Sequence, residues 1–345
     1  MRVVVSPYDT EWPRLFRKEA LRIAPAFGPE LITIHHIGST SIPDLAAKPV
    51  IDMMPVVRRI ETVDGETTRW LARLGYEGLG EFGLPGRRYF RKGGARRTHQ
   101  LHAYAFDNPE TLRHLAFRDY LRVRPGVRDA YGALKTGLAA SFSRDIEGYM
   151  DGKDHFIKET EALALAWWRR LPCLFLNGTV GVGKTTTLEA VAAMLDAQNV
   201  PYLAVDLDGL GQTNQKSPHD PFSRGLSLAN LEAMVQRGRA LGIRVVVLAG
   251  VIEGAEEREA FRAAMGGAEV FLVRLQAPDP VVEKRLRQRM VPGPALDWHL
   301  ERRGELHQIL ERAGLDDAVV DAASKSPELV AGEILDRWNL SAIID

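Results

Sequence analysis

Charged and apolar residues recur at helical spacing over residues 12–26, where Asp9 or Thr10 stands in capping position. Two runs rich in Ile and Val, 32–37 and 49–57, predict strands. A helix is predicted over 66–74, ending before Gly75. A strand pair is predicted over 88–91 and 98–106, around the Gly93-Gly94 turn. Helical periodicity then runs through 112–123, 127–143 and 148–170, and Pro172 stops the last of these. The first half reads as mixed α and β.

Beyond residue 170 strands and helices alternate. Strands are predicted at 171–176, 202–207, 244–249 and 270–276. Helices are predicted at 184–198, 228–241, 256–265, 280–289, 297–313 and 327–340. Strands separated by helices of ten or more residues predict a parallel sheet covered on both faces. The chain of 345 residues is longer than one core usually holds. Two domains are therefore expected, 1–170 and 171–345.

Gly178-Thr-Val-Gly-Val-Gly-Lys-Thr185 matches the full P-loop pattern between a predicted strand and a predicted helix. Gly178, Gly181 and Gly183 let backbone N–H groups converge on phosphate oxygens, and the helix N-terminus adds partial positive charge. Lys184 is expected at the β/γ-phosphates, Thr185 on Mg²⁺, and Thr186 in the same cradle. The fold class expected for this half is a P-loop NTPase domain, with ATP (or GTP) and Mg²⁺ bound. The next strand ends in Asp206-Leu-Asp208-Gly209. Period-2 geometry would put both carboxylates on one face at the sheet's ligand edge, one for Mg²⁺ or base chemistry and one for an acceptor hydroxyl. The strand 244–249 ends in Ala249-Gly250 without a terminal acid, which makes Asp206 the better metal anchor. Arg285 and Arg289 share a helix face before the loop 291–294, and Arg302 and Arg303 follow it, as in a lid that stabilises transferring phosphate.

Formal net charge is zero and 45% of residues are apolar, as in a soluble globular protein. Residues 1–171 carry 27 basic and 21 acidic side chains, so the first half is mildly basic and the second mildly acidic. Cys173 is the only cysteine and lies in an apolar run, which predicts a buried strand thiol and a reducing compartment. No apolar stretch reaches the ~18 residues of a membrane span, and the N-terminus has no signal-peptide pattern. The cytoplasm is the expected location, with no membrane partner. Six cations fall between Arg87 and Arg97, suited to phosphate or acidic ligands or to a solvated hairpin. Nucleic acid is not favoured, because aromatic interleaving is missing.

The P-loop, Asp206-Leu-Asp208, Leu275-Gln-Ala-Pro, Arg285/Arg289 and Val319-Val-Asp321 together resemble small P-loop kinases of the shikimate, gluconate and adenylylsulfate kinase group, over about 171–340. The resemblance implies that Asp206 and Asp208 touch Mg²⁺ and the acceptor and that Arg289 touches phosphate, with Lys184 completing the catalytic set. The arginine pattern that shikimate kinases use for a substrate carboxylate is missing.

In the first half, Ile34-His-His-Ile-Gly-Ser-Thr-Ser-Ile-Pro-Asp-Leu-Ala-Ala-Lys-Pro-Val-Ile-Asp52, with Arg87-Arg-Tyr-Phe-Arg-Lys-Gly-Gly and Arg97-Thr-His-Gln-Leu-His102, closely resembles the GrpB family over about 5–165. The resemblance implies a nucleotidyltransferase-like fold. Gly38 and Ser39 could present N–H groups and a hydroxyl to a triphosphate, with Lys48 and Arg97 completing a phosphate or ligand site. Asp52 stands as in a metal-binding nucleotidyltransferase, but Met54 occupies the place of the second carboxylate, which counts against a standard two-metal transfer. Asp52, His99 and His102, with His36, are candidates for a metal or acid–base site.

Three functions follow. The first is phosphoryl transfer from ATP to a small-molecule acceptor. The second is a nucleotide-binding regulatory or interaction protein without transfer activity. The third is a dephospho-CoA kinase-like enzyme, since some of those are fused to a GrpB-like domain.

Overall fold

The apolar run after Pro172 is buried along its whole length, and strand alternation divides it between two cores. Leu174 and Leu176 face one side of a sheet, while Cys173 and Phe175 face the other. This division, in a computed structural model that describes residues 3–214 and 219–340, sets the architecture of the second of two units, Met1–Trp168 and Arg169–Asp345.

The first unit contains α1 (Trp12–Phe27), β1 (Leu31–Ile37), β2 (Ile51–Val57), α2 (Glu66–Arg73), β3 (Tyr76–Gly78), β4 (Arg88–Lys92), β5 (His99–Ala105), α3 (Pro109–Val123), α4 (Pro125–Ser141) and α5 (Ile146–Arg169). Among the described residues its strands form one mixed sheet in the order β1-β2-β5-β4-β3, in which only the β2–β5 pair is parallel. One face packs on α1 and α2 through Trp12, Ile23, Met53, Leu71 and Leu101. A separate apolar cluster joins Ile42 and Leu45 to Leu121 of α3 and Tyr131 of α4.

The second unit contains β6 (Pro172–Gly178), α6 (Lys184–Ala197), β7 (Tyr202–Asp206), α7 (Arg224–Leu241), β8 (Val245–Ala249), α8 (Ala255–Ala264), β9 (Glu269–Gln276), α9 (Asp279–Arg289), α10 (Pro294–Ala313), β10 (Ala318–Asp321) and α11 (Pro327–Trp338). Every strand pair is parallel, in the order β10-β9-β6-β8-β7. Residues of α6 and α11 cover one face, and residues of α7 and α8 the other. The parallel α/β reading of this half and the mixed reading of the first both hold. Cys173 is fully buried, and burial pushes its thiol pKa up. Among the described residues, no helix is long and apolar enough to cross a membrane.

Several helices start earlier than periodicity indicates: α3, α4 and α10 begin at Pro109, Pro125 and Pro294. Proline suits the first helical position, where its missing N–H costs nothing. Two short strands, β3 and β10, escaped the pattern because three or four residues hold too little periodicity to register. Asp206 ends β7, but Asp208 lies in a 3₁₀ turn at Leu207–Gly209. The period-2 argument for the Asp206/Asp208 pair therefore fails. Asp206 instead caps the turn, accepting the Asp208 N–H at 3.1 Å.

Candidate functional site

In the second unit the chain leaves β6 at Gly178 and enters α6 at Lys184. Gly178 has φ +140°, and a Cβ there would stand 2.7 Å from the Leu275 carbonyl oxygen. Only glycine lets the loop pass so close to β9. Buried Asn177 fixes the approach: its Oδ1 accepts the N–H groups of Gly178 and Ile252, and its Nδ2 donates to the Ile252 carbonyl. Nothing in the sequence pattern marked Asn177.

The Lys184 ammonium donates to the carbonyls of Gly178 and Thr179, at 2.9 and 3.1 Å. Burial, with Arg289 adding to it and Asp208 and Asp206 opposing it, pushes its pKa down to about 8. Thr185 Oγ1 donates to Asp206 Oδ2 at 2.6 Å. Gly181, Gly183, Lys184, Thr185 and Thr186 line a cavity of about 400 Å³ together with Asp208 and Arg289. A second cleft, about 730 Å³, lies beside it. Val180, Asp208, Val251 and Arg289 line both.

The four lid arginines separate. Arg285 donates to the carbonyls of Val182 and Ala322, so it braces the loop. Arg302 pairs with Glu253 and Glu305, and Arg303 with Asp279. Arg289 faces both cavities. His299, also in the second cleft, feels both Arg289 and Asp208, and its pKa is lowered, mainly by burial. Sequence spacing gave no sign of it.

In the first unit Gly38 has φ +67°, and a Cβ there would collide with Asp52 Oδ2, so the carboxylate lies against the turn's backbone. Ser39 opens a 3₁₀ turn held by Ser41 Oγ, which donates to the Gly38 carbonyl at 2.6 Å. Arg118 donates to the His36 carbonyl, and Arg122 donates twice to the Ser41 carbonyl. His102 Nε2 stands 3.7 Å from Asp52 Oδ1.

His99 does not join them, which corrects the Asp52/His99/His102 grouping. Three residues along a strand reverse the face. His99 lies on the side of Glu19 and Lys92, whose charges act on it. His36 is also excluded: it stacks on Phe16, bonds Thr40 and is pushed down to about 3 by burial. Among the described residues, no three His, Cys, Asp or Glu side chains converge as a metal site. Met54, two residues beyond Asp52, is fully buried.

The basic hairpin is mostly consumed internally. Arg88 pairs with Asp64, Arg91 with Glu77 and Lys92 with Glu19. Arg87 bonds the carbonyls of Glu81 and Phe82. Arg97 is different: its Nε is buried without a hydrogen-bond partner. Lys48 lies over the ring of Tyr149 at 4.1 Å, and Lys153 of α5 approaches the same ring at 5.5 Å.

Comparison with known proteins divides the chain in the same way. The family profile described as GrpB protein matches residues 2–162, and one described as AAA domain matches 174–312. The UPF0157 protein YqkA of Bacillus subtilis is 48% identical over 166 residues, 48% of each chain, so this chain spans about half the length of that relative. The glutamate-rich protein GrpB of Alkalihalophilus pseudofirmus is 30% identical over 161 residues, 46% of this chain and 92% of that one. A dephospho-CoA kinase of Mycolicibacterium paratuberculosis is 28% identical over 186 residues, 47% of this chain and 46% of that one. Among solved structures, GrpB from Enterococcus faecalis is 48% identical and covers 47% of this chain and 98% of its own, with a TM-score of 0.45. A gluconokinase from Sinorhizobium meliloti is 20% identical and covers 50% and 95%, with a TM-score of 0.36. The chain thus belongs to the GrpB family through its first half, which is joined to a domain that matches the AAA domain profile and carries the P-loop.

Proposed function

We propose that the second unit transfers the γ-phosphoryl group of ATP to a hydroxyl of a small molecule in a Mg²⁺-dependent reaction. The observation that carries this reading is the sharing of Asp208 and Arg289 by the P-loop cavity and the adjacent cleft. A carboxylate and a guanidinium border the place where a terminal phosphate and an acceptor would meet. The loop amides and the N-terminus of α6 hold the phosphates. Lys184 exchanges its two carbonyl acceptors for β/γ oxygens. Thr185 and Asp206, already paired, are the hard oxygen donors that would hold Mg²⁺. When bound, the ion would supply neutralisation of phosphate charge. Asp208 orients the acceptor hydroxyl and takes its proton, and Arg289 stabilises charge on the transferring group.

The cleft walls include Leu207, Phe222, Phe261 and Trp298. Its Arg224 and Arg302 both bond Glu253. Such walls suit a hydroxyl compound with an apolar body better than a carboxylate. The dephospho-CoA kinase relative makes dephospho-CoA an acceptor to try early, and absence of ADP release with it would exclude that acceptor alone.

The test is ATP turnover against a panel of hydroxyl acceptors. Lys184→Ala is expected to abolish transfer. Asp208→Asn is expected to lower kcat by about 10²–10⁴ while ATP affinity changes little. Transfer that survives Lys184→Ala, or an unchanged kcat in Asp208→Asn, would remove the reading. ATP binding with no acceptor turned over would favour a regulatory role.

A further inference from the structure

The first unit gathers cations that its own acids do not neutralise. Lys135 of α4 is 2% exposed, and its ammonium has no hydrogen-bond partner. Its neighbour is the face of Tyr131, at 4.4 Å. Tyr131 packs with Ile42 and Leu45, which sets α4 beside the segment that follows the Gly38–Ser39 turn. Lys48 and Lys153 share the Tyr149 ring. The charge of Lys153 acts on both Lys48 and Lys135, and that of Arg97 acts on Lys48. The acid that reaches Lys48 and Lys153 is Asp52. Lys135 and Arg97, by contrast, each bury a nitrogen that makes no hydrogen bond.

A buried ammonium without a counter-ion is strongly unfavourable, and aromatic faces offset only part of that cost. Structural needs do not require it, because methionine would fill the same volume. The arrangement resolves if an anion enters. Burial lowers the pKa of Lys135 to about 7 and that of Lys48 to about 8, and a multiply charged anion would hold both protonated. Met54, two residues beyond Asp52, is fully buried and offers no second carboxylate beside these lysines.

We infer that Lys48, Lys135, Lys153 and Arg97, beside the Gly38–Ser39 turn, form a binding site for a di- or triphosphate group, inorganic or nucleoside-borne, taken up without a divalent cation. Asp52 orients the lysines and repels a misplaced phosphate. The site is independent of the kinase reading of the second unit.

The experiment is titration calorimetry of the full chain carrying Lys184→Ala, under EDTA, with pyrophosphate, tripolyphosphate and ATP as probes. Pyrophosphate or tripolyphosphate is expected to bind with a stoichiometry near one. Lys135→Met and Lys153→Met are each expected to weaken binding about tenfold or more. Asp52→Asn is expected to retain or tighten it. Equal affinity for tripolyphosphate and ATP assigns the site to the inorganic group, and tighter ATP binding to a nucleotide; either supports the site. Lys135→Met should also raise the thermal midpoint, because it removes an unpaired buried charge. Lys153→Met, at a less buried position, carries the test if Lys135→Met does not fold. No binding under EDTA, binding restored only by Mg²⁺ and lost in Asp52→Asn, or affinities unchanged in both lysine variants would overturn the inference.

Discussion

At the scale of single residues, burial decides which titratable groups can work near neutral pH. His36 carries its ring into the core against Phe16, and burial holds it neutral until about pH 3. An unfolded histidine takes its proton near 6.5. Above that value both states are neutral and the group contributes no pH dependence. From there down toward 3 the unfolded chain binds a proton that the folded chain refuses, so stability falls as pH falls, by up to ~1.4 kcal/mol per pH unit. Denaturation midpoints measured from pH 7 to pH 4 should decline less steeply in His36→Phe than in the parent. An identical slope would show that His36 has the same pKa in the folded and unfolded chain. Glu19 shows the opposite balance. Burial opposes its ionisation, but Lys92 and the Tyr76 hydroxyl outweigh it and hold the carboxyl below its usual range.

At the scale of elements, the two candidate sites are braced differently. The P-loop is held by its own strand and by neighbouring strands: Gly178 against β9, Asn177 to the segment after β8, and Arg285 to the end of β10. The Gly38–Ser41 turn is held from across the fold by α3, whose Arg118 and Arg122 reach carbonyls about eighty residues away in sequence. Loss of the paired Arg122 bonds should cost about 1–3 kcal/mol. Arg122→Ala is therefore expected to lower the denaturation midpoint and speed amide exchange at Ser41 and Ile42. Arg96→Ala, on the exposed hairpin, should change neither. Parent-like exchange in Arg122→Ala would mean that the turn supports itself through the Ser41 bond alone.

At the scale of the whole molecule, each unit has its own sheet and its own cores, so ligand effects can be assigned by which transition they move. MgATP at about one hundred times its Kd should stabilise the unit that binds it by ~2.7 kcal/mol. Calorimetry should show this shift in the transition of the second unit, and Lys184→Ala should erase it. Pyrophosphate under EDTA should move the transition of the first unit instead. A MgATP shift that survives Lys184→Ala would place the dominant nucleotide site outside the P-loop.

The sequence alone determined the elements whose signals are local and contiguous. The alternating strands and helices of the second half, the P-loop between β6 and α6, and the mixed character of the first half all follow from periodicity and from eight consecutive residues. The odd spacing of His99 and His102 already contained their separation, because alternate strand residues face opposite sides. Tertiary structure decided the rest. Which cations of the hairpin remain available depends on Asp64, Glu77 and Glu19, none of which is marked by spacing. The burial of Lys135 against Tyr131 and the approach of Lys153 to Tyr149 depend on where α4 and α5 pack. Charge is a property of composition, but whether a charge is neutralised is set by contacts between distant segments, and only the folded chain makes those.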